Sequence, residues 1–133
     1  MTLRLNADSG VPLYLQVIEQ VKHAIETGAM APGDQLPSVR QMAEDLLINP
    51  NTVARAYREL EHEGIIELKH GSGAFIREAM VQRTKIMQKA QSLMDSALER
   101  LASLDLTEEE MRRVIETGLA RRRDRKGSKK KLA

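Results

Sequence analysis

The sequence has no cysteine and no tryptophan, and among its 133 residues only two tyrosines and one phenylalanine are aromatic. Without cysteine the chain has no disulfide framework and no thiolate chemistry, which is typical of proteins from a reducing compartment. No apolar run approaches the roughly 18 residues of a membrane-spanning helix, and residues 1–8 lack the apolar core of a signal peptide. We therefore expect a cytoplasmic protein that has no membrane partner.

The sequence also lacks the residue constellations that carry catalysis or hold a cofactor. No nucleophile, base and orienting residue converge, and no phosphate-binding loop is present. The three histidines, His23, His62 and His70, lie on different predicted elements and match no common metal-ligand spacing. We interpret them as surface or structural residues and predict a protein that is not an enzyme and binds no metal or cofactor.

Positive charge is concentrated at one end of the chain, although the pI is about 9.0 and the net charge is +2. Residues 121–131 contain eight of the 21 Lys and Arg residues but only one of the 19 Asp and Glu residues. The rest of the chain is therefore net acidic, so overall basicity is not evidence that the folded part binds nucleic acid. We predict a disordered tail over residues 121–133, and non-specific attraction to DNA is its functional alternative.

Apolar residues recur with helical spacing in two stretches before residue 47. The first begins at Pro12, a residue tolerated in the first turn of a helix, and ends near Gly28. The second begins with a capping-box pattern, Ser38 and Gln41, whose side chains would each accept from the other residue's backbone N–H. The predicted buried positions are Tyr14, Val17, Ile18, Val21, Ala24 and Ile25 in the first helix, and Val39, Met42, Ala43 and Leu46 in the second.

A third helix follows after only two residues, Leu47 and Ile48. Asn49 is a favoured N-cap, and Pro50 suits the first helical position. One side of this helix is apolar, with Val53, Ala56, Tyr57 and Leu60. The opposite side, which we term the reading face, carries donors and no carboxylate and consists of Asn51, Arg55, Arg58 and His62. Considered alone, such a face is more often an ordinary solvated surface.

Gly64 ends the third helix, and two short strands are predicted after it, over residues 65–69 and 74–76. The turn between them, His70 to Gly73, is termed the wing. Its glycines allow the positive φ angles of a tight loop. Because a two-stranded hairpin alone is marginally stable, we expect this hairpin to pack on the helices before it.

From Met80 onward the pattern is that of a long helix with a heptad repeat. Its apolar positions, termed the dimer seam, are Met87, Ala90, Met94, Ala97, Leu101 and Leu104, and Ile86, Leu93 and Leu98 broaden them. Too little chain remains to cover so long a stripe, so we predict that a second copy covers it.

A capping box at Thr107 begins a last helix. The methionines at 80, 87, 94 and 111 are interpreted as dimer core, with an adaptable ligand pocket as the alternative.

The order helix, helix, tight connection, helix and hairpin is that of a winged helix-turn-helix, in which an α-helix enters the major groove. The fold class predicted is mainly α with a small β-hairpin. Residues 1–77 would form the winged DNA-binding domain, residues 78–120 two dimerisation helices, and residues 121–133 the basic tail. The rival interpretation is a helical protein-interaction module that uses the winged domain and the tail.

The sequence resembles the GntR family of bacterial transcription regulators over about residues 11–77. Its length and the two helices that follow are similar to the YtrA-like subfamily, in which a short helical region replaces a large effector domain. The resemblance implies a homodimeric repressor on a pseudo-palindromic operator, often beside genes for ATP-binding-cassette transporters. The residues that carry it are Pro12-Leu13-Tyr14, Gly33 to Arg40, Asn49 to Val53, Tyr57 to Leu60, Glu63-Gly64 and His70 to Gly73.

The resemblance assigns DNA contacts to Arg40, Asn49, Asn51, Thr52, His70 and Gly71. To these we add the reading-face residues Arg55 and Arg58, the wing residue Ser72, and Ser38 as a cap that also contacts phosphate. The chain has Pro50 and Ala54 where better-known branches have arginines, so their base preference does not transfer. A small effector bound between the C-terminal helices is a further hypothesis.

Overall fold

The computed structural model describes residues 3–132, with side chains described up to residue 127. The chain divides into two compact units, one up to Lys89 and one from Ala90 onward, so the division lies inside a helix. After a short 3-10 turn at Ala7–Ser9, the elements are α1 (Leu13–Glu26), α2 (Val39–Leu46), α3 (Pro50–His62), β1 (Ile66–Lys69), β2 (Gly73–Ile76), α4 (Met80–Ala102) and α5 (Glu108–Leu132).

The N-terminal caps of α2 and α3 lie where the sequence predicts them. The Asn49 side chain accepts from the Asn51 N–H at 2.8 Å, and the Ser38 hydroxyl accepts from the Gln41 N–H at 3.0 Å. The reciprocal half of the predicted Ser38 capping box is wrong. The Gln41 amide instead donates to Asp45, one turn later, at 2.8 Å, because the carboxylate is a charged acceptor.

The hairpin β1–β2 is antiparallel, with Ile66 opposite Ile76 and Lys69 opposite Gly73. A further segment pairs with the other edge of β2: the Leu36 N–H donates to Ala74 at 2.8 Å, and the Ile76 N–H donates to Asp34 at 2.9 Å. The sequence did not predict this pairing, because Pro32 and Gly33 are typical of a turn and not of a strand. The hairpin is thereby anchored to the segment that leads into α2.

The core of the first unit is shared by α1, α2, α3 and the hairpin. Tyr57 is its largest fully buried side chain, and its hydroxyl donates to the Pro37 carbonyl at 2.6 Å. Burial raises the pKa of this tyrosine, so the phenol stays neutral and keeps its donor. The buried residues are Val17, Ile18, Val21, Ala24, Ile25, Met30, Leu36, Met42, Ala43, Val53, Ala56, Tyr57, Leu60, Ile66, Ala74 and Ile76.

The helix α5 begins with the capping box predicted at Thr107. The Thr107 N–H donates to the Glu110 carboxylate at 3.0 Å, and the Glu110 N–H donates to the Thr107 hydroxyl at 3.1 Å. The helix then continues to Leu132, so the prediction of a disordered tail is wrong for residues 121–132, and Ala133 lies outside the described residues. Lys and Arg are good helix formers, and their charge is favourable near a helix C-terminus.

No helix within residues 3–132 combines the length and apolarity needed to cross a lipid bilayer.

Candidate nucleic-acid interface

The structure brings the reading face together on the exposed side of α3. Asn51, Arg55, Arg58 and His62 are all exposed, whereas Val53, Ala56, Tyr57 and Leu60 are buried on the opposite side. Among the side chains that the structure describes, no carboxylate forms an ion pair with either arginine. Amide and guanidinium groups on an exposed helix face are suited to the base edges of the major groove.

The carboxylates at the C-terminal end of α3 are engaged away from the reading face. Glu61 accepts from the Leu68 N–H of β1 at 3.1 Å, and Glu63 pairs with Lys22 of α1 at 3.1 Å. These contacts hold α3 to the hairpin and to α1 at the same time. They also fix two negative charges where they do not oppose a phosphate backbone, which favours an anionic partner at the start of the helix.

The start of α3 presents a compact polar surface. Asn49 and Pro50 are exposed and Thr52 is half-buried, and the Asn49 oxygen is used for capping while its amide N–H groups remain available. The positive end of the helix dipole lies at this same place. In the turn between α2 and α3, Leu47 has a left-handed φ of 56°. Its side chain is 91% exposed, so packing against the described residues does not offset the cost of this backbone conformation.

Two predicted contacts lie at the start of α2. The Arg40 side chain is exposed and pairs with Glu44 at 3.3 Å, one turn along the helix. Exposed pairs of this kind contribute at most about 1 kcal/mol, so the pair does not prevent Arg40 from binding phosphate. Ser38 accepts a hydrogen bond as the N-cap, and its hydroxyl hydrogen can still be donated.

The wing is an exposed turn braced from one side. The Ser72 N–H donates to Lys69 at 2.9 Å to close the turn, and the Gln35 side chain donates to the Ser72 carbonyl at 2.9 Å. Gly71 has a φ of 77° and Gly73 a φ of 116°, and a Cβ added at Gly73 would lie 2.7 Å from the Gln35 amide nitrogen. His70 and Ser72 are exposed. The bracing by Gln35 was not predicted, because its strand pairing was not foreseen.

A groove of about 380 Å³ separates the wing from the start of α2. Three predicted contact residues line it: Ser38 at the start of α2, and His70 and Gly71 in the wing. A phosphate backbone passing between α2 and the wing could therefore be contacted from both sides.

Arg55 makes one contact that the sequence did not predict. Its guanidinium carbon lies 3.7 Å from the centroid of the Tyr14 ring on α1. Helical spacing had placed Tyr14 on the buried side of α1, but the residue is only half-buried. The pairing cannot be derived from spacing within either helix, because it depends on how α1 crosses α3.

The histidines do not converge. His23 lies on α1, His62 at the end of α3 and His70 in the wing. Within the described part of the chain, no three His, Asp or Glu side chains are grouped so that they could hold a metal ion.

The predicted dimer seam lies on α4 except for Leu104, which lies in the turn after the helix, and α4 has no buried residue. Exposure is 41% for Met94 and 67% for Leu104, whereas Met87 and Leu101 are half-buried. Met80, one of the methionines interpreted as dimer core, packs instead against the core of the first unit. In the second unit a groove of about 470 Å³ is lined by Leu98, Glu99, Ala102, Glu108, Met111, Arg112 and Ile115.

Comparison with known proteins gives consistent matches. Residues 13–76 match the family described as bacterial regulatory proteins, gntR family. The chain is 49% identical over 76 residues to the HTH-type transcriptional repressor YtrA of Bacillus subtilis, a match that covers 57% of this chain and 58% of YtrA. It is 37% identical over 110 residues to the uncharacterized HTH-type transcriptional regulator YhcF of the same organism, covering 82% of this chain and 91% of YhcF.

A solved GntR family transcriptional regulator from Listeria monocytogenes has a similar structure, with a TM-score of 0.57 and 29% sequence identity. The similarity covers 83% of this chain and 97% of that chain.

Proposed function

The chain belongs to the gntR family of bacterial regulatory proteins, and we propose that it is a DNA-binding transcriptional repressor that acts as a homodimer on a pseudo-palindromic operator. The repressor assignment is supported by the likeness to YtrA, whose name states that activity, although this chain spans only 58% of YtrA. The resemblance to YtrA-like regulators further leads us to propose that the operator lies beside transporter genes.

The observation that carries this proposal is the carboxylate-free reading face of α3. Asn51 and Arg55 project from the exposed side of α3, close to its capped N-terminus. Glu61 and Glu63, at the other end of the helix, are engaged by β1 and α1. Asn suits adenine and Arg suits guanine, each through two hydrogen bonds in the major groove. Arg40 and the wing would then position the helix through phosphate contacts.

Dimerisation is supported by the exposed apolar residues of the seam. Side chains such as Met94 and Leu104 recur with a heptad spacing and are left exposed by residues 3–127. A second copy would bury both seams at once, since the same surface serves both partners of a two-fold dimer. Two recognition helices would then reach half-sites about one DNA turn, roughly 34 Å, apart.

Footprinting tests the assignment directly. DNA fragments selected from a random-sequence library by the wild-type protein serve as the probe, and we expect a symmetric protected site. Asn51→Ala and Arg55→Ala should each reduce affinity for that site about 5- to 150-fold, the loss of one bidentate base contact. Arg83→Ala is the matched control, because it removes the same charge from the exposed start of α4.

Protection that persists unchanged in both reading-face variants would contradict the assignment. Failure to select any duplex, together with binding to an acidic protein partner, would support the rival interaction module instead.

Control by a small effector is the last part of the proposal. The groove lined by Leu98 and Ile115 is mainly apolar, and its charged lining residues are Glu99, Glu108 and Arg112. A ligand bound there would shift the protein only if it binds DNA-bound and free conformations unequally. Calorimetry of candidate ligands with and without the selected duplex measures this difference, and equal affinities would remove the effector mechanism.

A further inference from the structure

The stack between Arg55 and Tyr14 joins two helices at the edge of the reading face. The guanidinium carbon lies 3.7 Å above the ring centroid, close enough for the ring quadrupole to attract the cation. Tyr14 is the second residue of α1 and is half-buried, while Arg55 is exposed one turn after Asn51 on α3. The two residues are 41 positions apart in the chain, so only the packing of α1 on α3 brings them together.

A separation of 3.7 Å between the guanidinium carbon and the ring centroid is the spacing of stacked planar groups, so we infer that the contact uses the flat face of the guanidinium and leaves its edge free. The five N–H donors of arginine lie in the guanidinium plane, so a ring stacked on that plane competes with none of them. Among residues 3–127, no carboxylate pairs with Arg55. The side chain is therefore oriented without its hydrogen-bonding capacity being used.

We propose that Tyr14 is a positioning residue for DNA recognition, which holds the Arg55 donor edge toward the bound duplex. This inference rests on the proposed function. A long side chain that is ordered before binding loses less rotamer freedom when it contacts a base or phosphate. Tyr14 thus raises affinity through Arg55 and not through a contact of its own.

A double-mutant cycle separates these two roles. Affinity is measured for a duplex selected by the wild-type protein from a random-sequence library and for an unselected duplex of equal length. Tyr14→Leu should weaken binding to the selected duplex about three- to fivefold, the size of an exposed cation–π contact. Tyr14→Phe keeps the ring and should bind as wild type does. In the Arg55→Ala background, Tyr14→Leu should cause no further loss.

Other outcomes overturn the proposal. A loss in Tyr14→Phe, or a loss in Tyr14→Leu that persists without Arg55, would assign a direct DNA contact to the tyrosine. If Tyr14→Leu binds the selected duplex with wild-type affinity, the Tyr14 ring has no role in DNA binding and the proposal is wrong. If the wild-type protein selects no duplex, the proposed function itself fails, which is a different result.

A measurement on the free protein guards against a fold defect in Tyr14→Leu. Because the guanidinium carbon lies 3.7 Å from the ring centroid, we expect the ring current to shift the nearby δ-methylene protons of Arg55 upfield in the proton NMR spectrum. That shift should remain in Tyr14→Phe and vanish in Tyr14→Leu. Random-coil shifts for these protons in the wild-type protein would overturn the proposal whether or not the leucine variant folds.

Discussion

The two compact units use apolar residues in opposite ways. The unit up to Lys89 buries sixteen hydrophobic side chains in one core, which joins three helices and a hairpin. Helix α4 buries no residue, and most of the seam lies in the second unit. Leu93 on this helix and Leu104 in the turn after it are both about two-thirds exposed. The first unit therefore has a hydrophobic core of its own, whereas the second has the exposed apolar side chains expected of an assembly interface.

The largest expected effect concerns the core of the first unit. Leu60 is 0% exposed, so Leu60→Ala should lower the free energy of unfolding by about 2–5 kcal/mol through lost burial and a residual cavity. Leu104→Ala is the control from the other unit. At dilutions where the chain is monomeric, it should change the free energy by less than about 0.5 kcal/mol. Urea unfolding measures both, and equal losses would erase the contrast between the units.

The second prediction concerns the exposed seam. Met94→Asp combined with Leu101→Asp places charge in the proposed interface and should give monomers. Because paired binding is lost, affinity for the selected duplex should fall about 100-fold or more.

Sedimentation equilibrium and gel-shift titration measure assembly and affinity for this variant. Ser92→Asp combined with Ser96→Asp is the matched control, since it adds the same charge at exposed polar positions of α4. A dimer that survives the seam substitutions would place the interface elsewhere.

Most of the first unit could be predicted from the sequence, because the signals that define its helices each lie within a single helix or at its ends. Asn49 and Pro50 begin α3, Gly64 follows its end, and the apolar spacing of α3 separates the buried Tyr57 from the exposed Arg58 as observed. Each of these features depends on capping, φ preference or periodicity, which a single stretch of sequence contains.

The features that were not predicted have a different origin, since they depend on contacts between elements that are distant in the sequence. The pairing of Leu36 with Ala74 and the stack of Arg55 on Tyr14 require a tertiary arrangement that no local period encodes. Residues 121–132 were misjudged for another reason. Charge clustering suggested disorder there, whereas helix propensity and continuation of α5 favour a helix.

A smaller effect is expected at the hydrogen bond that the buried Tyr57 hydroxyl donates to the Pro37 carbonyl. Tyr57→Phe keeps the buried ring but leaves the Pro37 carbonyl without its donor, which should cost about 1–2 kcal/mol of unfolding free energy. Tyr14→Phe is the natural control, because the Tyr14 ring is only half-buried. Urea unfolding of both variants measures the difference. A cost at Tyr57 no larger than that at Tyr14 would show that the core does not depend on this hydrogen bond.

The smallest effect should lie in the second unit, at the start of α5. The Thr107 backbone N–H, followed by the Thr107 hydroxyl contact, holds the pKa of Glu110 below its ordinary value of 4.5. A carboxyl whose pKa is lowered by folding stabilises the folded state above its unfolded pKa, and this contribution is lost as the pH falls through the lowered pKa. Helix content measured by circular dichroism should therefore decrease slightly below about pH 4.5.

Glu110→Gln isolates this titration from that of the neighbouring acids. Glutamine can still accept the Thr107 N–H but carries no charge, so the variant should lose only the part of the pH dependence due to Glu110. Glu108 and Glu109 are present in both proteins, so their contributions cancel in the comparison. Because Glu110 lies at a surface cap, the difference should be far smaller than the cost of Leu60→Ala. Identical pH profiles in the two proteins would mean that the α5 cap depends on hydrogen bonding alone and not on charge.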